Sequence, residues 1–263
     1  MRTYREDMSD GFRDLHYGDS PLVLPNAWDV PSALAFVKAG FAAVGTTSFG
    51  VVANHGRPDG FRFSQQHNLE LASALSSLEC FVSIDIEDGY ADDPEAVADY
   101  VARLDVAGVN IEDSSFGALI SPDVAAAKVA AVKSRCPEIF VNARVDTYWL
   151  RQDAEPRPTL DRARRYVDAG ADGIFVPGAI GETTLRQLCT QIDRPVNVLA
   201  SPGVSVRRLA GWGVRRVSTG SLPYRAAMHA ATQAAVAVRD GGPIPPSAGY
   251  DDMQSQLRAY DRG

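Results

Sequence analysis

The chain is 263 residues long, 45% hydrophobic and 22% charged, with a formal net charge of −7; this is enough to bury a large core in one domain. Basic residues are scattered among acidic ones rather than gathered in a stripe, which argues against a nucleic acid partner. No run approaches the roughly 20 apolar residues that cross a bilayer, and the polar, acidic start over residues 1–20 is unlike a secretory signal, so a cytoplasmic protein with no membrane partner is expected.

Short apolar runs alternate with amphipathic segments, and the expected strands are Leu22–Leu24, Ala42–Thr47, Phe81–Ile86, Gly108–Ile111, Ile139–Ala143, Gly173–Val176, Val196–Leu199 and Arg216–Ser218. Eight nearly continuous apolar runs suit a parallel sheet buried on both faces. An open doubly wound sheet would read similarly. Acidic and small polar residues recur at the C-terminal ends of the runs, where barrels carry their sites, and this favours an α/β fold of the (β/α)8 TIM barrel type over residues 1–263.

The first run leads into Asp29-Val30-Pro31, an N-cap with a first-turn proline, opening a helix that stops at Ala39-Gly40. The second enters Gly45-Thr46-Thr47-Ser48-Phe49-Gly50, a turn able to offer N–H and O–H groups to an anion. Ser48 lacks the G-x-S-x-G frame of a hydrolase elbow, so a Ser48–His229 nucleophile pair is disfavoured. The polar, Gly-rich segment Val51–Gly60 is long for a barrel connection and suits a specificity loop or lid. Within it, His55 has no second His at zinc-ligand spacing, and Asp59 either holds a metal-bound water or serves as an ordinary turn residue.

The third run ends in Asp85-Ile86-Glu87-Asp88-Gly89-Tyr90 and the fourth in Glu112-Asp113. Carboxylates of Asp85, Glu87 and Glu112 at neighbouring strand ends are hard oxygen ligands of the kind Mg²⁺ takes, with Mn²⁺ also possible; equally, single acids there cap the following helices. Asp93-Pro94 and Ser121-Pro122 open two further helices, the second ending near Arg135. The fifth run ends in Asn142-Ala143-Arg144-Val145-Asp146. An Arg emerging from an apolar strand needs a carboxylate, either Asp146 or a substrate's. Asn197, inside the seventh run, needs a partner from ligand or protein. Cys80, Cys136 and Cys189 are odd in number and widely spaced, as expected of reduced thiols. The tail from Gly241 holds three prolines and a short polar helix.

Together, Leu24-Pro25-Asn26-Ala27-Trp28-Asp29, Thr46-Thr47-Ser48-Phe49-Gly50 with Asp59, Asp85 through Tyr90, Ile111-Glu112-Asp113 and Asn142 through Asp146 resemble the isocitrate lyase / phosphoenolpyruvate mutase superfamily over nearly the whole chain. The resemblance implies a barrel whose last helix is swapped with a partner subunit in a homodimer or homotetramer, and an Mg²⁺ that chelates a small 2-oxo or 2-hydroxy acid or its enolate. By position it implies that Asp85 is nearest the metal, that Glu87 and Glu112 hold its water, that Arg144 lies on the substrate oxygens, and that Thr47, Ser48 and Phe49 form the anion turn. Asn142 and Asn197 join the substrate set, with Asp59, Tyr90, Ser114 and Ser115 as acid–base candidates.

Departures narrow the activity. The K-x-C-G-H loop of isocitrate and methylisocitrate lyases is replaced by Glu112–Ser121, which holds no cysteine, and the mutase loop bearing Lys, Thr and Asn is absent. The sixth run ends in Phe175-Val176-Pro177-Gly178, where mutases show His and methylisocitrate lyases show Glu; Glu87 replaces the mutase Asp. The expected activity is an Mg²⁺-dependent carbon–carbon lyase or decarboxylase working through an enolate. The alternatives are a phosphonopyruvate-type C–P enzyme, with Arg57 standing in for the lost Lys, and a non-catalytic 2-oxo acid binding protein.

Overall fold

A computed structural model describes residues 10–261; most of the acidic start, residues 1–9, and the last two residues lie outside the described part. The parallel strands are β1 (Leu22–Leu24), β2 (Asn26–Ala27), β3 (Ala43–Thr46), β4 (Phe81–Asp85), β5 (Gly108–Glu112), β8 (Phe140–Arg144), β9 (Gly173–Phe175), β10 (Val196–Leu199) and β11 (Arg216–Ser218). Between β5 and β8 an antiparallel pair intervenes, β6 (Ser114–Ser115) and β7 (Ala118–Leu119).

The nine parallel strands are ordered β1-β11-β10-β9-β8-β5-β4-β3-β2. β1 and β2 are two halves of one run interrupted at Pro25, which has no N–H to give the ladder. β1 pairs with β11 and β2 with β3, so the sheet closes on itself as a TIM-like barrel. All eight expected runs are strands, and the open-sheet alternative is excluded by this closure.

Helices alternate with the strands: α1 (Val30–Lys38), α2 (Ser48–Ala53), α3 (Gln65–Leu75), α4 (Pro94–Ala102), α5 (Pro122–Arg135), α6 (Thr147–Leu150), α7 (Pro156–Asp168), α8 (Glu182–Gln191), α9 (Val206–Gly211), α10 (Leu222–Asp240) and α11 (Tyr250–Tyr260). The caps work as the sequence suggests: the Asp29 side chain accepts from Ser32 N and the Ser32 hydroxyl returns the bond, while Asp93 and Ser121 cap α4 and α5. Ile84, Val109, Val141, Ile174, Val198 and Val217 are buried in the main core. A second cluster of Phe12, Leu24, Ala43, Ala107 and Phe140 gathers at the strand starts and fills the N-terminal end of the barrel.

The barrel interior is polar. Arg216 on β11 donates to Asn110 Oδ1 on β5 at 3.1 Å, a bond that crosses the lumen because these strands are not neighbours. Asn142 donates to the same oxygen at 2.8 Å, and Asn197 Nδ2 to Ser218 Oγ at 3.1 Å. Burial lowers the Arg216 pKa to about 9, with Asp85 working against the fall.

Two loop expectations change. Val51–Ala53 belong to α2, so only the stretch after Asn54 is a free loop. Ser114–Leu119 is a hairpin whose turn residues Phe116 (φ 50°) and Gly117 (φ 81°) both take left-handed backbone, the conformation that matches strand twist in a two-residue turn. α10 and α11 contain no buried residue. No helix among the described residues is long and apolar enough to cross a membrane.

Candidate active site

A cavity of about 510 Å³ opens over the C-terminal ends of the strands, the face on which parallel barrels place chemistry. Thr47, Ser48, Phe49, Asp59, Asp85, Glu87, Glu112 and Arg144 all line it, as do Ser114 and Ser115. Residues from four chain segments that the sequence separates by up to a hundred positions therefore meet at one rim.

The β4 exit is the most distorted part of the rim. Glu87 (φ 48°), Gly89 (φ 88°) and Tyr90 (φ 64°) all have left-handed backbone, and a Cβ on Gly89 would meet Val97 at 2.6 Å. Non-glycine residues held at positive φ cost about 1–3 kcal/mol each and persist where surrounding contacts impose them. Here those contacts are hydrogen bonds to the loop itself: Glu87 accepts from Arg62 N at 2.8 Å and from the Ser64 hydroxyl, and Asp88 accepts from Arg62 Nε at 3.0 Å and from Ser115 Oγ at 2.7 Å. Lys128, buried in α5, donates to the Asp88 carbonyl at 2.8 Å. Asp88 thus ties the loop after α2 and the hairpin to the β4 exit.

Arg144 and Glu112 are register partners on β8 and β5, which brings Arg144 Nη1 to 2.5 Å from Glu112 Oε1. Arg144 Nε donates to Asp146 Oδ1 at 2.6 Å, and Ser114 Oγ donates to the other oxygen of Asp146. Arg144 is thus paired with Asp146 and also lines the cavity. Burial opposes its charge, but Asp146 and Glu112 outweigh that and hold its pKa above the usual value.

Asp85 is 8% exposed; its Oδ2 receives a long bond from Ser48 N at 3.4 Å, and its Oδ1 has no hydrogen-bond partner. Burial raises its pKa, Arg144 offsets part of this, and neighbouring Asp59 adds to it. Glu112 is likewise raised by burial against the pull of Arg144, and Glu87 is raised by burial against Ser64 and Arg62. Asp59 is exposed as a residue, yet enough protein surrounds its carboxyl that desolvation raises its pKa, while the Ser48 hydroxyl and Arg144 lower it. These four carboxyl groups share a space with Arg144, which is already paired with Glu112 and Asp146. An orphaned, buried carboxylate oxygen among further carboxylates is a donor set that fits a hard divalent cation. Among the described residues no three His, Cys, Asp or Glu side chains are grouped so as to hold a metal ion by themselves, so any cation here would complete its shell with water or substrate oxygens.

Tyr90, Asn142 and Asn197 are not among the residues that line the cavity. The Tyr90 hydroxyl lies 2.7 Å from Ser64 Oγ and accepts from Asn68 Nδ2 at 2.7 Å, behind Glu87; burial pushes its pKa well up, so it buttresses Glu87. Asn142 sits two residues before Arg144 on β8, on the same side but one layer deeper in the barrel, and Asn197 is occupied by Ser218. Arg57 lies over the Phe63 ring at 5.2 Å and does not line the cavity. His55 stacks on His67, with ring centroids 3.6 Å apart. The cysteines are free, and burial raises the Cys80 and Cys189 thiols to about 11. Sequence reading missed Arg62, Asp88, Asn110 and Phe175 as lining residues. Asn110, two positions before Glu112 on one strand face, could have been found by alternation; Arg62, at φ 60° in an irregular loop, carries no local signal.

A closed parallel barrel with polar and charged groups at its C-terminal rim is an enzyme architecture, and the comparisons narrow it. The chain belongs to the phosphoenolpyruvate mutase / isocitrate lyase superfamily: the phosphoenolpyruvate phosphomutase family model matches residues 12–239. It is 57% identical over 250 residues to an uncharacterized protein of Mycobacterium tuberculosis, covering 95% of this chain and 97% of that one. It is 25% identical over 274 residues to a 2-methylisocitrate lyase of Halalkalibacterium halodurans, covering 98% and 90%. Among solved structures, a putative lyase/mutase from Burkholderia cenocepacia superposes with a TM-score of 0.88 at 27% identity, covering 96% of each chain.

Proposed function

We propose that this protein is an Mg²⁺-dependent carbon–carbon lyase or decarboxylase acting on a small 2-oxo or 2-hydroxy acid. The observation that carries this reading is the buried Asp85, with one oxygen unpartnered, facing the same cavity as Arg144 and four more carboxylates. A phosphonopyruvate hydrolase with the same fold, TM-score 0.82 at 21% identity, was solved with oxalate and Mg²⁺, a dianion shaped like the enolate of such a substrate.

Asp85 would hold the metal, with Glu87 and Glu112 accepting from its water shell; when bound, the metal supplies positive charge where the substrate oxygen becomes negative. The guanidinium of Arg144, stacked over Trp149 and Phe175 at 5.5 and 5.7 Å, presents the remaining N–H groups to the substrate carboxylate. In decarboxylation the bond to the departing carboxylate breaks, its electron pair moves toward the carbonyl oxygen, and CO₂ leaves; the carbon then takes a proton. Retro-aldol cleavage additionally needs a base for the departing hydroxyl. Among the described residues lining the cavity, the groups that can carry a proton are carboxyls and hydroxyls, with no Lys, His, Cys or Tyr. Asp59, its acidity weakened by its surroundings and hydrogen-bonded to Ser48, is the residue we assign to this task. The same sparse set favours, as a second reading, a binding protein that retains the pocket without turnover.

Proton NMR of the protein with Mg²⁺ and oxaloacetate, 2-methylisocitrate, isocitrate, 2-methylmalate or phosphonopyruvate should show EDTA-sensitive release of pyruvate or glyoxylate. Silence across the panel, with oxalate still bound in an Mg²⁺-dependent way, would support the binding reading instead.

We further propose that residues 1–263 work as one domain in a homodimer or homotetramer joined through the C-terminal helices. Leu222, Met228, Val238, Tyr250 and Met253 are all exposed on α10 and α11, and neither helix buries a residue within this chain, as expected of helices whose apolar side chains pack on a partner. Sedimentation equilibrium should give a dimer or tetramer, shifted toward monomer on deletion of residues 242–263; a concentration-independent monomer would refute the arrangement.

A further inference from the structure

The cavity is divided by chemistry, and the division follows the sheet order. Thr47, Ser48 and Asp59 follow β3, Asp85 and Glu87 stand on or just after β4, Glu112 ends β5 and Arg144 ends the adjoining β8. Beyond Arg144, the ends of β9 and β10 and the connections after β8, β9 and β10 contribute Trp149, Leu150, Phe175, Pro177, Leu199 and Pro202. None of these six has a charged or hydrogen-bonding tip except the Trp149 indole N–H. The β11 end then turns polar again with Ser218, Thr219, Ser221 and Arg225. Trp149 is 54% exposed and Phe116, on the neighbouring hairpin, is 62% exposed. Large apolar surface left open at a concave site marks a place where a ligand supplies the missing contact.

Size points the same way. A 2-oxo acid head has roughly six heavy atoms, whereas cavities of about 300–1,000 Å³ enclose drug-sized ligands, and this one measures about 510 Å³. A second substrate carboxylate would need its own cation. Three arginines line the cavity. Arg62 is committed to Asp88 and Asp92, each at 2.5 Å, and Arg144 to Glu112 and Asp146. Arg225 remains, on the exposed first turns of α10, with its Nε on Ser221 Oγ at 3.2 Å.

From this division we propose, resting on the 2-oxo acid reading above, that the substrate carries an apolar alkyl or aryl substituent on the side away from its 2-oxo acid head. The head lies over β3–β8 and the tail lies along Trp149, Phe175, Pro177 and Leu199. The substrate class is then a hydrophobically substituted 2-oxo or 2-hydroxy acid rather than a tricarboxylate.

The test is a calorimetric series in Mg²⁺ using oxalate, pyruvate, 2-oxobutyrate, 2-oxohexanoate, 2-oxo-4-phenylbutyrate and 2-oxoglutarate as probes. Affinity should rise by up to about fourfold per buried methylene, with 2-oxohexanoate binding more tightly than 2-oxoglutarate. In Trp149→Ala, with each affinity taken relative to oxalate on the same variant, the gain per methylene should shrink. Oxalate bound but affinities flat with tail length, or 2-oxoglutarate preferred through Arg225, would overturn the apolar tail while leaving the 2-oxo acid reading standing. Failure of oxalate to bind with Mg²⁺ would overturn that reading and the tail with it.

Discussion

Replacing Arg144 with alanine is expected to abolish turnover and to destabilise the fold, and replacing it with lysine should separate the two effects. Arg144 is 11% exposed and lies between Glu112 and Asp146. Alanine would leave two enclosed carboxylates without their cation, and breaking a buried pair in this way typically costs about 3–5 kcal/mol. A loss of activity in Arg144→Ala could therefore report unfolding alone. Lysine keeps the positive charge but not the planar fork that can hold Asp146 with Nε while offering other N–H groups to a substrate carboxylate. Arg144→Lys should melt within a few degrees of the wild type, yet bind oxalate in Mg²⁺ more weakly and lose about 10²- to 10³-fold in kcat/KM, the size of effect seen when one preorganised donor to a developing oxyanion is removed. If Arg144→Lys were folded and retained turnover within a few-fold, Arg144 would be a structural residue only.

That Arg144 could be singled out from sequence reflects its place on the chain. A strand buried on both faces is a continuous apolar run, so the first charged residue after it marks the rim. Asp85, Glu112 and Arg144 all occupy that position, each the last residue of its strand. Asn142 and Asn197, by contrast, stand inside their strands. A polar residue there reports a polar lumen, and what satisfies it is another lumen residue contributed from far along the chain, such as Asn110 or Ser218. Tyr90 is a different case: with positive φ at both Glu87 and Tyr90, adjacency to Glu87 in sequence does not put Tyr90 among the lining residues. The tie between Asp88, Arg62, Ser115 and Lys128 is wholly tertiary. Its members come from three connections and one helix, and none has a local pattern that announces the others.

Substitution of Asp85 with asparagine is expected to raise the stability of the metal-free protein while removing its response to Mg²⁺. Asp85, Glu87 and Glu112 all have pKa values raised by burial, whereas in the unfolded chain such carboxyls titrate near about 4. Between the unfolded and folded values the native state binds more protons than the unfolded state. The slope of unfolding free energy with pH, proportional to protons bound unfolded minus folded, is then negative. These groups therefore favour the fold at low pH, and that contribution is lost as pH rises from about 4 through their raised values. Thermal melts of the metal-free protein should accordingly fall between pH 5.5 and pH 8. Added Mg²⁺, which competes with these protons, should restore more stability at pH 8 than at pH 5.5. At a hundred times its Kd it should contribute about 2.7 kcal/mol. The asparagine side chain has the same shape without the charge, so Asp85→Asn should show a shallower pH slope and little shift with Mg²⁺, and EDTA should change nothing. A variant that melts lower than the wild type without metal and still responds to Mg²⁺ would show that Asp85 is held for structure and that the cation binds elsewhere.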